Sequence, residues 1–378
     1  MNKKKKILVV AKSIDGGTGT FLLSLLKIQD VDPNIEIKAL VLEKPSYRRV
    51  KKSKIKFLHS SNYYPQKYEL NLSHSYNFFT EIFKIKREIN KLSPQLVLSV
   101  DVHANLIVSI IKAIFLGRFN VILTTHINLE DTLSAKSSHI LRLFISRLIT
   151  FFYNKADRLV FISKDLGKNF KRGFKINRKI DIINYGITLG KRKNPRSWDR
   201  KTIVTLGRLV EQKDYGILIN AFSGVIKDKN QARLWIVGDG PLKLELKNLA
   251  HSKGLDSMVS FLGWKNSVKD VLSKADIYVS SSKREGFGYG IIEAMSYGLP
   301  IVSTDAPFGP KEILGNGKYG ILVPVGDKKA IKNNLNKLLE DRKEYLKYSN
   351  LSIERVKDFS EKKMLDQYVD LLNSINES

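Results

Sequence analysis

The stretch EGFGYGIIEAMSYGLPIVSTDAPFGPKEIL, Glu285 to Leu314, decides the fold. It follows a β-rich apolar run, Ile277-Tyr278-Val279-Ser280-Ser281-Ser282, and turns helical at about Gly290, where Ile291, Ile292, Ala294 and Met295 take helix-spaced apolar positions. The predicted order is strand, glycine-rich turn, helix. A helix start reached through Gly286, Gly288 and Gly290 leaves backbone N–H groups unpaired and uncovered, a seat for a phosphate or another anion. Glu285 on the turn and Glu293 further along the helix frame that seat. Carboxylates repel phosphate but accept hydroxyls, so the pair suits a ligand with both anionic and hydroxyl-rich parts, as a nucleotide sugar has.

Outward from this stretch the second half alternates strands and helices. Strands are predicted at 202–207, 232–238, 259–263, 277–282, 300–305 and 319–323, with helices near 214–227, 241–253, 267–274, 290–298 and 327–341. After the first of these strands come Gly207-Arg208-Leu209-Val210-Glu211-Gln212-Lys213. Arg208 and Lys213 leave one strand end together, where an arginine fork and a lysine point charge could share a diphosphate. Asp305 to Glu312 reads as a rigid turn, and Ser360 to Ile375 as a last amphipathic helix.

The first half repeats the pattern, with strands at 7–12, 37–42, 55–59, 96–100, 121–126, 158–163 and 180–185 and helices at 21–28, 76–92, 103–116 and 134–154. This is a parallel sheet flanked by helices. Gly16 and Gly17 form a loop that could approach a phosphate or an acceptor, or simply a tight turn. The spacing is not that of a dinucleotide fingerprint. His126 falls just past a buried strand, where a lone histidine is more often structural than catalytic. The segment from His139 to Arg158 mixes apolar and cationic residues and reads as a core helix with a solvated face. Lys168 to Lys179 reads as a short, glycine-broken basic surface. The D-x-D at Asp30-Val31-Asp32 lies between helix and strand, and reads as a surface turn.

At 378 residues the chain calls for two domains. The expected boundaries are 1–190, a polar linker at 191–201, 202–358, and a C-terminal helix at 359–378 packing back on the N-terminal domain. With no cysteine, disulfides and cysteine-ligated metals are excluded, and a reducing compartment is suited. The short apolar run from Ile7 to Ala11 is no signal-peptide core, and no apolar stretch approaches membrane-spanning length, so the expectation is a soluble cytoplasmic protein. The formal charge of +28 is uneven: residues 1–200 hold 38 Lys and Arg against 15 Asp and Glu, and residues 201–378 hold 27 against 22. Compositional bias accounts for the total better than for that asymmetry. Such a field draws polyanions, including phosphorylated substrates and anionic bilayers.

Together these motifs resemble family 4 of the sequence-based glycosyltransferase classification, the retaining enzymes of the GT-B fold. The resemblance is strongest at Glu285 to Leu314, where Glu285 and Glu293 match the E-x7-E motif inside SSS-KREGFG and EAMSYGLPIV, preceded by GRL-x3-K. In the first half it is looser, through Gly16-Gly17, Thr125-His126, Phe161-Ile162-Ser163 and Asn184-Tyr185-Gly186-Ile187. The resemblance implies an α/β chain of two Rossmann-like domains facing across a cleft. It implies that Arg208 and Lys213, beside Gly207, neutralise the donor diphosphate. Glu293 would hold ribose hydroxyls, and Glu285 those of the transferred sugar. The stretch Gly286, Phe287, Gly288, Tyr289 and Gly290 would bind phosphate oxygens through its amides, Gly16 and Gly17 would border the cleft, and His126 would face the sugar.

The implied reaction moves a hexose or N-acetylhexosamine from a UDP-sugar or similar donor to a hydroxyl of a glycan or lipid-linked acceptor in cell-surface polysaccharide synthesis. It needs no metal and no cofactor. An anionic membrane surface, at the inner face of the cell membrane, is an expected partner of the basic first half, and a specific nucleic acid is not. Two other readings stay open from the residues alone: a nicotinamide-dependent oxidoreductase, and a non-enzymatic basic protein binding membrane or nucleic acid.

Overall fold

The computed structural model describes residues 4–14, 16–43, 55–58, 72–115, 117–129, 139–190, 201–227 and 231–375. The chain divides into two compact units, Met1–Gly186 with Lys362–Ser378, and Ile187–Glu361. The linker expected at 191–201 lies outside the described residues except for Lys201, which opens a strand.

In the first unit seven strands form one parallel sheet in the order β3-β2-β1-β4-β5-β6-β7. They are β1 (Lys5–Ala11), β2 (Ile35–Val41), β3 (Ile55–Phe57), β4 (Leu96–Val100), β5 (Asn120–Thr125), β6 (Arg158–Phe161) and β7 (Ile180–Ile182). Strands such as Leu96-Val97-Leu98-Ser99-Val100 are buried at every position, as a sheet covered on both faces requires. The described helices are α1 (Gly16–Leu25), α2 (Ile28–Val31), α3 (Leu72–Leu92), α4 (Val102–Ile114), α5 (His139–Tyr153) and α6 (Lys164–Gly173).

The second unit holds six parallel strands in the order β10-β9-β8-β11-β12-β13. These are β8 (Lys201–Leu206), β9 (Ala232–Val237), β10 (Val259–Gly263), β11 (Ile277–Ser280), β12 (Ile301–Thr304) and β13 (Ile321–Val323). Its helices are α7 (Tyr215–Lys227), α8 (Lys243–Ser252), α9 (Lys269–Leu272), α10 (Tyr289–Ser296), α11 (Pro310–Ile313), α12 (Lys328–Glu340) and α13 (Arg342–Val356). Its core gathers Leu218, Phe222, Leu234, Ile277, Val302 and Leu335 around the sheet. The last helix, α14 (Glu361–Ser374), returns to the first unit, where Tyr368 meets Phe21 and the Lys5 ammonium donates to the carbonyls of Leu372 and Ile375.

Four readings of the sequence change. The first helix opens at Gly16, not Phe21. A Cβ on Gly19 would stand 1.7 Å from the Ile14 carbonyl oxygen, so only glycine lets this helix start so close to the loop. Residues 164–173 form α6, capped by Ser163, rather than an irregular basic surface. The turn after β12 contains the short helix α11. Helix α13 is not among the expected helices: its inner side carries Tyr345, Tyr348 and Val356, but their apolar stripe is interrupted by the buried Ser349 and Ser352, whose hydroxyls donate to the carbonyls of Gly298 and Leu299. Asp341 caps it by accepting from the Lys343 and Glu344 amides.

Candidate active site

In a parallel sheet the loops that leave strand carboxyl ends meet where the strand order reverses. In the second unit that point lies between β8 and β11, since β9 and β10 run outward on one side and β12 and β13 on the other. The two loops there carry Gly207 to Lys213 and Ser281 to Gly288.

Backbone hydrogen bonds stitch these loops together. Lys283 N–H donates to the Gln212 carbonyl, and Ser281 Oγ donates to that of Lys213. Glu285 N–H donates to Pro307, and Phe308 N–H returns to Glu285, which pins the turn to the loop after β12. With both loops fixed, Lys213 Nζ reaches Glu285 Oε1 at 2.5 Å, and Ser282 Oγ donates to the same oxygen at 2.7 Å. Both side chains are largely buried, so this is a charge-assisted pair sheltered from solvent. Glu285 Oε2 accepts nothing from the described residues. The Arg208 carbonyl accepts from the Val210 amide, while its exposed side chain makes no hydrogen bond or ion pair with the described residues.

Helix α10 starts against the same spot. Gly288 enters it at φ +104, where a side chain would be strained, and as the N-cap residue it supplies no side-chain cap. A Cβ on Gly290 would stand 2.5 Å from Tyr278 Oη and 3.5 Å from Leu206, so the helix begins beside the end of β8. On the other side, a Cβ on Gly207 would meet Tyr215 Oη at 2.8 Å and Lys213 Cε at 3.2 Å. The buried Tyr278 hydroxyl has its pKa raised by burial first, then by Tyr215 and the charges of Glu285 and Glu293. Both carboxylates of the E-x7-E motif therefore bear on one buried hydroxyl. Gly207, Lys213, Glu285 and the Phe287 to Gly290 turn are thus neighbours, with Glu293 one turn into α10.

Neither Ser282 nor Tyr278 stood out in the sequence as more than strand residues. A run of three serines closing an otherwise apolar strand is the one signal for Ser282, since hydroxyls there must find partners.

In the first unit the strand order reverses between β1 and β4. Asp101 leaves β4 at φ +86 and accepts from the Lys12 and Ala104 amides, while burial raises its pKa. Gly16 also has positive φ (+68) and lies at the start of α1 with Gly17. His126 is 5% exposed at the end of β5. Thr124 uses its one O–H on the Ser99 carbonyl, so it accepts from His126 Nε2–H at 2.8 Å, which leaves Nδ1 to accept from Tyr185 O–H at 2.7 Å. Burial lowers its pKa to about 3; Tyr185 stacks on the ring and Phe21 packs against it at a tilt. Both nitrogens are therefore engaged inside the protein, and neither is offered to a ligand.

Asp32 of the D-x-D accepts from the Asn34 amide and from Asn373, at the amino end of β2 and away from the strand carboxyl ends. Among the described residues no three His, Asp or Glu side chains converge as a metal ion requires.

Residues 188–355 match the family described as "Glycosyl transferases group 1", and residues 45–191 the family described as "Glycosyltransferase Family 4". The chain is a GT-B glycosyltransferase. It is 28% identical over 413 residues to an uncharacterized glycosyltransferase of Methanocaldococcus jannaschii, covering 97% of this chain and 98% of that one. It is 30% identical to the Campylobacter jejuni N-acetylgalactosamine-N,N'-diacetylbacillosaminyl-diphospho-undecaprenol 4-alpha-N-acetylgalactosaminyltransferase, over 57% of this chain and 60% of that one. Among solved structures, Anabaena HepE in complex with UDP and glucose superposes with a TM-score of 0.77 at 19% identity, over 98% of this chain and 100% of that one. Both family matches are to glycosyltransferases, which speaks against the oxidoreductase and scaffold readings.

Proposed function

We propose that this glycosyltransferase moves a hexose or N-acetylhexosamine from a UDP-sugar to a hydroxyl of a glycan or lipid-linked acceptor, with the anomeric configuration retained and without a metal. The observation that carries the reading is the Lys213 ammonium, held by Glu285 beside Gly207 and next to the glycine-led start of α10.

Breaking the anomeric C–O bond leaves negative charge on the departing diphosphate. Fixed positive groups aimed at that charge lower the barrier without reorganising during reaction. Lys213 carries three N–H donors, and one already meets Glu285. The other two can turn to phosphate oxygens, together with the amides at the start of α10. The Arg208 guanidinium, which meets no partner among the described residues, adds a second cation from the same loop. Glu285 has one oxygen in use and one with no donor among the described residues, which suits a sugar hydroxyl, while Glu293 would take ribose hydroxyls.

The UDP carrier is favoured because the Anabaena neighbour binds UDP and glucose, and the lipid-linked acceptor because the Campylobacter relative acts on a diphospho-undecaprenol glycan. Incubation with a panel of UDP-, GDP- and dTDP-sugars, reading released nucleotide, tests the proposal. Release from a UDP-sugar that disappears in Arg208→Ala and persists in EDTA is the expected result, and product NMR reads the anomeric configuration. Release confined to another nucleotide, or dependent on added divalent metal, would overturn the corresponding part.

A further inference from the structure

Helix α5 inverts the usual arrangement of a surface helix. Its sequence calls for a core helix with a polar outer face, yet the outward residues are Leu143, Phe144, Leu148 and Phe151, with Phe144 59% exposed. Arg147, also exposed, and Lys155, just past the helix end, continue the same stripe at helical spacing. Isolated exposed apolar residues need no explanation, but a row of four on one helix does.

The neighbours of α5 extend the row. Helices α3, α4 and α5 each cross the sheet in the same direction, from β3 to β4, β4 to β5 and β5 to β6, so right-handed crossovers put all three on one face. They pack side by side, with α4 in the middle. From α3, Phe79 and Phe83 face outward, and from α4, Ile114 does. Of the twelve exposed large apolar side chains among the described residues, seven therefore lie on these three helices. Lys86 lies 3.7 Å above the Phe115 ring and Lys155 5.1 Å above that of Phe151, so cations sit directly among the aromatic rings.

Charge decides what fits this face. Helices α4 and α5 contain no Asp or Glu, and the two acids of α3 are engaged, Glu81 by His103 and Glu88 by Lys56. Next to α5, α6 exposes Lys168, Lys171 and Arg172, and Arg178 donates to the Asn154 carbonyl at the end of α5. A second copy of the same face would bring cation against cation, which disfavours a symmetric dimer. A layer of anionic headgroups over acyl chains matches both features, with apolar side chains entering the interface while lysines and arginines reach the phosphates.

We propose that the α3–α4–α5 face of the first unit is a docking surface for an anionic lipid bilayer. Among the described residues no helix is long and apolar enough to cross a membrane, so the contact is peripheral. The proposal rests on this surface and not on the donor chemistry, so the two fail separately.

Flotation of the full chain with phosphatidylglycerol–phosphatidylcholine vesicles, against pure phosphatidylcholine, tests it. The expected result is co-flotation with the anionic vesicles only. A quadruple Leu143→Ser, Phe144→Ser, Leu148→Ser, Phe151→Ser variant is expected to float at least ten-fold less, while nucleotide release with a soluble acceptor is unchanged. Because four substitutions could disturb folding, Phe151→Trp supplies a second reading: its emission should shift to the blue, and be quenched by brominated lipid, on anionic vesicles alone. Absence of flotation, a Phe151→Trp emission that ignores the vesicles, or a wild-type dimer in light scattering that the serine variant dissociates would each overturn it. The last outcome would assign the face to a second copy of the chain.

Discussion

Acidification should destabilise this protein through one residue. The His126 ring is buried with both nitrogens bonded, and burial lowers its pKa from 6.5 to about 3. The unfolded chain takes up the proton near pH 6.5, and the folded chain does not until about pH 3. Between those values the unfolded state binds more protons, so stability rises with pH there. The contribution is fully present above 6.5 and is lost as pH falls toward 3. The slope is about 1.36 kcal/mol per pH unit, so a drop from pH 7.5 to 5.0 removes roughly 2 kcal/mol. For a unit of this size that corresponds to a melting temperature lower by about 4–8 °C. His126→Gln keeps one donor and one acceptor but does not titrate. Thermal melts of both proteins by far-UV circular dichroism from pH 7.5 to 5.0 should therefore diverge, the wild type losing more. Parallel curves, or an imidazole NMR titration with its midpoint near 6.5, would refute the reasoning.

Lys213→Ala should lower kcat/KM for nucleotide release by about 10²–10³, the range for removing one fixed donor from a developing charge. Glu285→Gln should raise KM for the donor as well, because it leaves Lys213 without its anion; release assays at several donor concentrations separate the two. Gly290→Ala puts a methyl 2.5 Å from Tyr278 Oη, and overpacking of this kind costs about 1–3 kcal/mol. Adding Tyr278→Phe removes the offending oxygen and leaves 3.4 Å to the ring, so the double variant should melt above Gly290→Ala alone. Ser349→Ala and Ser352→Ala each leave a buried carbonyl without its hydroxyl partner, a loss of about 1–3 kcal/mol apiece in urea unfolding.

The alternation of strands and helices was legible in the sequence because most predicted strands are short apolar runs rich in Val and Ile. The observed strands β8 to β13 fall within a few positions of those expected. Composition and the glycine-rich motif also determined that a helix would start next to two carboxylates, because spacing along the chain is enough to place them. Three things were decided only by tertiary structure. Periodicity shows that α5 has an apolar stripe, but not which way it faces, since the rest of its residues are apolar too and packing on the sheet selects the buried side. Helix α13 is held in part by serine hydroxyls on backbone carbonyls, and serines at those positions interrupt its apolar rhythm. Lys213 and Glu285 are 72 positions apart, and only the reversal of strand order between β8 and β11 brings their loops to one point. Local pattern is a property of consecutive residues, whereas which face is covered and which distant charges meet depends on how the sheet is assembled.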